Sequence, residues 1–202
     1  MALARSRFKS NSPPAPLRLA DARSEADLRK RVLHEADHQL RAQRLLLVLQ
    51  AEDGQGGADV SEGKVPQGER IARLLLAIGP WLEEARTTRQ PRLRHGPQGV
   101  PASGQRSCLV APLVAGDAVL GVLYADIEGH LGRFEPAQRD QLAGLADEAA
   151  QVLRLIRERD ALQRSLEQSN AELSRRAGEL ALVNSIQQGM AQRLSFDAII
   201  QL

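Results

Sequence analysis

The sequence predicts an α+β fold: an antiparallel sheet flanked by helices, the last of which runs on into a parallel two-stranded coil. Three observations predict it. The apolar runs Cys108 to Val114 and Ala118 to Tyr124 flank Ala115-Gly116-Asp117, and the glycine tolerates the positive φ that a tight β-hairpin reversal demands. After Pro136, a helix opening near Ala137 carries apolar residues at Leu142, Leu145, Ala149, Val152 and Ile156, the spacing of one buried helical face. A heptad series then continues through Leu145, Val152, Arg159, Leu166, Leu173 and Leu180. Its companion positions are Ala149, Ile156, Gln163, Asn170, Ala177 and Asn184.

The elements follow in chain order. The first twenty residues hold three Ser, three Arg, one Lys, three Pro and no acid. A transit-like leader shares that composition, but the prolines favour a disordered basic lead-in over residues 1–23. Ser24 is placed to cap a helix from Glu25 to Arg41, with Glu25 and Asp27 in its first turn opposing the helix dipole. Leu45 to Leu49 reads as a strand, and Gly54, Gly56, Gly57 and Gly63 make Glu52 to Gly68 a flexible loop. Helical spacing returns over Glu69 to Ile78 through Ile71, Leu74, Leu75 and Ile78, and Gly79-Pro80 is expected to interrupt it before Trp81. Pro91, Gly96, Pro97, Gly99, Pro101 and Gly104 predict a long irregular loop, made basic by Arg86, Arg89, Arg92, Arg94 and Arg106. Gly121 leaves a place in the second hairpin strand where another backbone or a ligand can come close. Asp126 reads as a charged exit from that strand. Along the coil, residues 151–183, the i,i+4 pairs Glu172 with Arg176 and Arg175 with Glu179 add ~0.2–0.5 kcal/mol each. A buried Asn170 would fix its register.

Composition bounds the function. With 202 residues, 43% of them hydrophobic, the chain can bury one core of moderate size. Aromatics are 2%, so that core is built of Leu, Val, Ile and Ala. Lys plus Arg (27) exceed Asp plus Glu (25) by too little to support nucleic-acid binding on charge alone. A single cysteine, Cys108, permits no intramolecular disulfide and suits a reducing compartment. No apolar run approaches the ~20 residues that span a bilayer, and the first residues show no secretory h-region. A cytoplasmic protein without a membrane partner is expected.

Two motifs suggest chemistry and are set aside. In His34-Glu35-Ala36-Asp37-His38 the two imidazoles would share a helix face and Glu35 could activate a metal-bound water. Asp37 is charged where such helices carry a neutral residue, Arg41 and Arg44 replace the extended motif's Gly and His, and no third ligand is apparent. No metal is expected. The segment Gly57 to Lys64, GADVSEGK, has five residues between its glycines where a phosphate-binding loop has four, and Val65 stands where a magnesium-binding hydroxyl belongs.

The segments RHGPQGVPASGQRSCLVAPL and LGVLYADIEGHLGRF, from Trp81 onward, resemble the C-terminal half of a GAF domain, the small-molecule sensor module of bacterial signalling proteins. The resemblance covers Ser24 to Leu155 and implies a sensor domain over residues 24–150. The last stretch, ELALVNSIQQGMAQRLSFDAIIQL, resembles the opening helix of a second GAF domain in sensors that end in a histidine kinase or a nucleotide cyclase, so residues 184–202 are expected to begin one. In it, Ser195 is placed to cap a further helix.

The resemblance implies a regulatory protein of two-component type, with a downstream effector domain as partner and no catalysis of its own, and the heptad spacing predicts a homodimer through Val152, Ile156, Leu166, Leu173 and Leu180. Trp81, Arg94, His95, Arg106, Tyr124 and Asp126 are the candidate groups around a ligand pocket between the sheet and its covering loops. No resident cofactor is implied. The cyclic-nucleotide signature of the family is broken: Asp126-Ile127 stands where Asn-Lys would fall, and Gln141 follows Asp140 where it should end in Glu. Cys108, with no resolving partner and placed within a strand, reads as a buried hydrophobe rather than a methionine-sulfoxide reductase nucleophile or a bilin attachment. A ligand-free dimerisation module and a zinc hydrolase on the His34–His38 segment are the alternative readings.

Overall fold

The computed structural model describes residues 18–51, 60–96 and 104–200. A 3-10 turn (Leu19–Asp21) precedes α1 (Glu25–Leu40), followed by β1 (Arg44–Leu49), β2 (Val60–Lys64), α2 (Ile71–Thr88), β3 (Arg92–Gly96), β4 (Arg106–Ala115), β5 (Ala118–Glu128) and α3 (Pro136–Ile200). The strands form one sheet in the order β2-β1-β5-β4-β3. Every pair in it is antiparallel.

Strand alternation sends neighbouring side chains to opposite faces, and here both faces are covered. Leu45, Leu47, Leu49, Leu109, Ala111, Leu113, Leu123 and Ala125 meet Leu28, Val32 and Ala36 of α1 and Leu142, Ala149 and Leu153 of α3. Leu46, Val48, Cys108, Val110, Val122 and Tyr124 meet Leu74, Ile78, Leu82 and Ala85 of α2. A sheet buried on two faces needs strands without polar alternation. That is why β1, β4 and β5 read as continuous apolar runs.

Local expectations hold at several points. The Ser24 hydroxyl accepts the Asp27 N–H at 3.2 Å, and α1 stops at Leu40 with Arg41 in the left-handed region. Gly116 turns the hairpin at φ 62°. A Cβ on Gly121 would lie 2.5 Å from the Val48 carbonyl oxygen, so the approaching backbone is that of β1.

Elsewhere the structure differs. Gly79-Pro80 does not end the helix: α2 runs from Ile71 to Thr88 with Pro80 inside it. Leu82 and Ala85 continue the stripe begun by Leu74 and Ile78, and their burial outweighs the missing proline N–H. Residues 60–64 of the expected glycine loop form β2, and residues 92–96 of the expected basic loop form β3. Both are edge strands, where charged side chains are tolerated. Asp126 is no exit but a buried residue within β5. In the expected lead-in, Leu19 is buried in the core. At the other end α3 continues unbroken through Gly189 and Ser195, so no new helix starts at Ser195. Residues 1–17, 52–59, 97–103 and 201–202, which hold the rest of the lead-in and much of both glycine- and proline-rich loops, lie outside the described residues.

The chain divides into two compact units, Met1–Ile156 and Arg157–Leu202. The second is the later part of α3, where Arg175 and Arg176 both bond to Glu172, and Arg175 also to Glu179.

Candidate ligand cavity and signalling helix

Antiparallel pairing of β3 with β4 sets Arg94 opposite Cys108, His95 opposite Ser107 and Gly96 opposite Arg106. Together with Trp81 of α2 and Gly104, these residues except Ser107 line a cavity of about 410 Å³. Four of the six residues singled out in the sequence, Trp81, Arg94, His95 and Arg106, therefore stand around one space. The Arg94 guanidinium lies 5.8 Å from the centre of the Trp81 ring and is held from α2 by the Glu84 carboxylate.

Tyr124 and Asp126, the other two, form the floor behind that wall. Asp126 is 0% exposed. Its Oδ1 accepts from Arg106 Nη1 at 2.8 Å, and its Oδ2 accepts from the Tyr124 hydroxyl at 2.6 Å and from Arg44 Nη1 at 3.3 Å. A buried carboxylate requires such partners, since an unpaired charge in the interior costs several kcal/mol. Arg44 is shared with Glu69 at 2.7 Å, and Arg106 with Glu128 at 2.5 Å. Burial alone would lower the Arg44 pKa, but Asp126 and Glu69 outweigh it and raise the value.

Neither the phenol nor the thiol of this cluster ionises readily. Burial pushes Tyr124 far above the usual phenol range, with Cys108 and Asp126 adding to the rise. Burial likewise raises Cys108, whose Sγ is 3.6 Å from the Tyr124 hydroxyl. A protonated, buried thiol is a poor nucleophile.

His95 lines the cavity and is also tied to Ser107. Its Nδ1 meets the Ser107 hydroxyl at 2.9 Å, and the same hydroxyl accepts the Phe134 N–H at 3.0 Å. Burial, with the Arg133 charge, lowers the His95 pKa. Sequence reasoning passed over Ser107, Phe134 as its partner, and Arg44. Ser107 is one residue from Cys108 and so turns to the opposite face, where it meets Phe134, whereas Arg44 joins Asp126 on the Cys108 face.

Of the residues set aside, His34 and His38 are exposed on α1, Glu35 accepts from Gln39, and Lys64 pairs with Asp37 at 2.7 Å. Among the described residues no group of three His, Cys, Asp or Glu side chains is placed to hold a metal ion.

On α3, Ile156 is 5% exposed in the core of its own unit, and Val152 packs beside it. Leu166, Leu173 and Leu180 are exposed, as are Leu162, Val183 and Met190. Leu162 sits at i−4 from Leu166 and Val183 at i+3 from Leu180, while Leu173 has Ser169 and Arg176 at those positions; Gln163 and Asn170 supply no apolar companion.

The family model for the GAF domain matches residues 26–153. The chain belongs to the GAF domain family. Among solved structures, the GAF domain of the cyanobacteriochrome TePixJ shares 18% identity and a TM-score of 0.53, covering 72% of this chain and 99% of that one. A GAF domain/HD domain protein from Geobacter sulfurreducens shares 16% identity with a TM-score of 0.51 over 69% and 98% of the two chains. Residues 122 to 287 of a methyl-accepting chemotaxis protein share 15% identity with a TM-score of 0.53 over 68% and 93%. At these identities the likeness is one of fold. No curated protein matches the chain. GAF domains are sensor and regulatory modules of signalling proteins and are typically not catalytic. No helix among the described residues of this GAF protein is long and apolar enough to cross a membrane.

Proposed function

We propose that this GAF domain is a regulatory sensor whose ligand occupies the cavity walled by Trp81, Arg94, His95, Arg106 and Cys108. The observation that supports it is the convergence of α2, β3 and β4 on one mostly apolar space, with the fixed Asp126 cluster behind it. Cavities of this size, apolar with a few placed polar groups, suit small molecules. The fitting ligand has a flat apolar body to lie against Trp81 and an acceptor edge for the guanidinium groups. Trp81 is the single tryptophan, so its emission reports the cavity directly. Native mass spectrometry of the protein purified from cell extract should show a retained small molecule, and its removal should shift Trp81 emission. No retained molecule, with Trp81 emission unaffected by added extract metabolites, would instead support a ligand-free dimerisation module.

In this reading the output passes through α3 to an effector of the histidine kinase or nucleotide cyclase type, in a cytoplasmic tandem-GAF protein whose second domain begins near residue 184. Two copies pair along Leu162, Leu166, Leu173, Leu180, Val183 and Met190, because a solvated helix leaves that apolar series in water. Occupancy of the cavity shifts the packing of the paired helices, and the effector reads the shift. The reading frame beyond Leu202 tests the effector: neither a kinase nor a cyclase domain there would refute this part.

A further inference from the structure

β3 and β4 both border the cavity, and together they reach the segment leading into α3: His95 of β3 meets Ser107 of β4, which in turn bonds to Phe134. Arg94 points toward Trp81 and Glu84, while the next residue, His95, bonds through Nδ1 to Ser107. Ser107 is 1% exposed, and its hydroxyl has two jobs. It accepts the N–H of Phe134, two residues before Pro136 opens α3, and it meets His95 Nδ1. With His95 neutral and its proton on Nε2, Nδ1 is an acceptor and the hydroxyl proton is donated to it. The hydroxyl proton is then held by β3 and one of its lone pairs by the segment leading into α3. Phe134 is itself buried in the core beneath α1 and α3. A move of the β3 edge therefore either carries the hydroxyl with it or breaks one of these two hydrogen bonds, and the one to Phe134 is buried.

We infer that Ser107 is the coupling residue between the cavity wall and the signalling helix, its hydroxyl linking the position of β3 to the backbone at Phe134. The inference deepens the sensor reading by assigning its output path. A ligand that displaces Arg94 from Glu84 moves β3, His95 moves with it, and the Phe134 amide is released or tightened. Ser107 is thus a positioning residue. It does not touch the ligand.

The test needs no ligand, so its failure is separate from failure of the cavity reading, which Trp81 emission and native mass spectrometry decide. Amide hydrogen exchange is measured at Phe134 and in the first turn of α3 in the full chain, in His95→Ala, in Ser107→Ala and in the double variant. Ser107→Ala should speed exchange at Phe134 about tenfold, the loss of one hydrogen bond. His95→Ala should speed it several-fold although residue 95 lies on the edge strand, and should add nothing in the Ser107→Ala background. Amides of β1 and β5 should stay protected throughout. Unchanged exchange at Phe134 in His95→Ala, or the same acceleration with and without Ser107, would overturn the inference. Should Ser107→Ala fail to fold, the His95→Ala comparison decides alone: acceleration confined to Phe134 and the first turn of α3 supports the coupling, and none refutes it.

Discussion

Asp126 concentrates the energetics of the domain in one carboxylate. It joins β5 to β1 through Arg44 and to β4 through Arg106, so three central strands depend on a single buried charge. Removing one partner of a buried ion pair typically costs about 3–5 kcal/mol, because the others are left uncompensated. Asp126→Ala should therefore lower stability by about that much in urea denaturation; a loss under about 1 kcal/mol would show that water enters the cluster. The neighbouring thiol and phenol predict the alkaline behaviour. Both pKa values are raised in the folded chain from 9.0 for Cys108 and 10.0 for Tyr124. Above pH 9 the unfolded chain loses these protons while the folded chain keeps them. The stability they contribute is fully present below that pH and is lost as pH rises further. Denaturation midpoints measured from pH 8 upward should fall, and fall less steeply in Cys108→Ala.

At the scale of elements, α2 is the place where local propensity yields to packing. A proline inside a helix costs ~3 kcal/mol relative to alanine, yet Leu74, Ile78, Leu82 and Ala85 lie on one stripe across it. Pro80 itself is exposed, so its ring fills no core space. Pro80→Ala should consequently stabilise the domain by about 2 kcal/mol, the helix gain less the entropy that proline removes from the unfolded chain. An unchanged melting temperature would mean that α2 is strained elsewhere. β4 handles its own proline by position: Pro112 lies beyond the last β3 pair, Arg92 with Val110, where β5 is the only neighbour. On the hairpin partner, a methyl group at Gly121 would strike the backbone of β1. Gly121→Ala should loosen the β1 to β5 ladder, seen as faster amide exchange in Leu47 and Leu49 than in β4.

For the whole molecule, the decisive quantity is what covers the later part of α3. Leu166 and Leu180 are each 65% exposed, and most helical stability in proteins comes from packing an apolar face rather than from propensity. The full chain should sediment as a dimer at micromolar concentration. Leu166→Asp with Leu173→Asp should give monomers, while the GAF domain keeps its core, because that core ends at Ile156. A monomeric unmodified chain would refute the paired-helix reading and leave the cavity reading standing.

What the sequence determined by itself was whatever depends on neighbours along the chain. The β4 to β5 hairpin, the Ser24 cap, the start of α3 and the family likeness all rest on short-range spacing and turn chemistry, which act before any tertiary contact forms. The four cavity-lining candidates were legible because Trp81 and the arginines stood out against a chain poor in aromatics. Only the tertiary structure decided the rest. β2 and β3 are strands because β1 and β4 offer them open edges, and their charged or glycine-bearing sequences carry no periodicity that announces it. Asp126 is buried because Arg44, distant by 82 positions, folds back onto it. Ile156 belongs to the domain and Leu162 to the exposed face, since the heptad pattern cannot say where one unit's core ends. In each case the missing information was a partner remote in sequence, and only folding brings the two together.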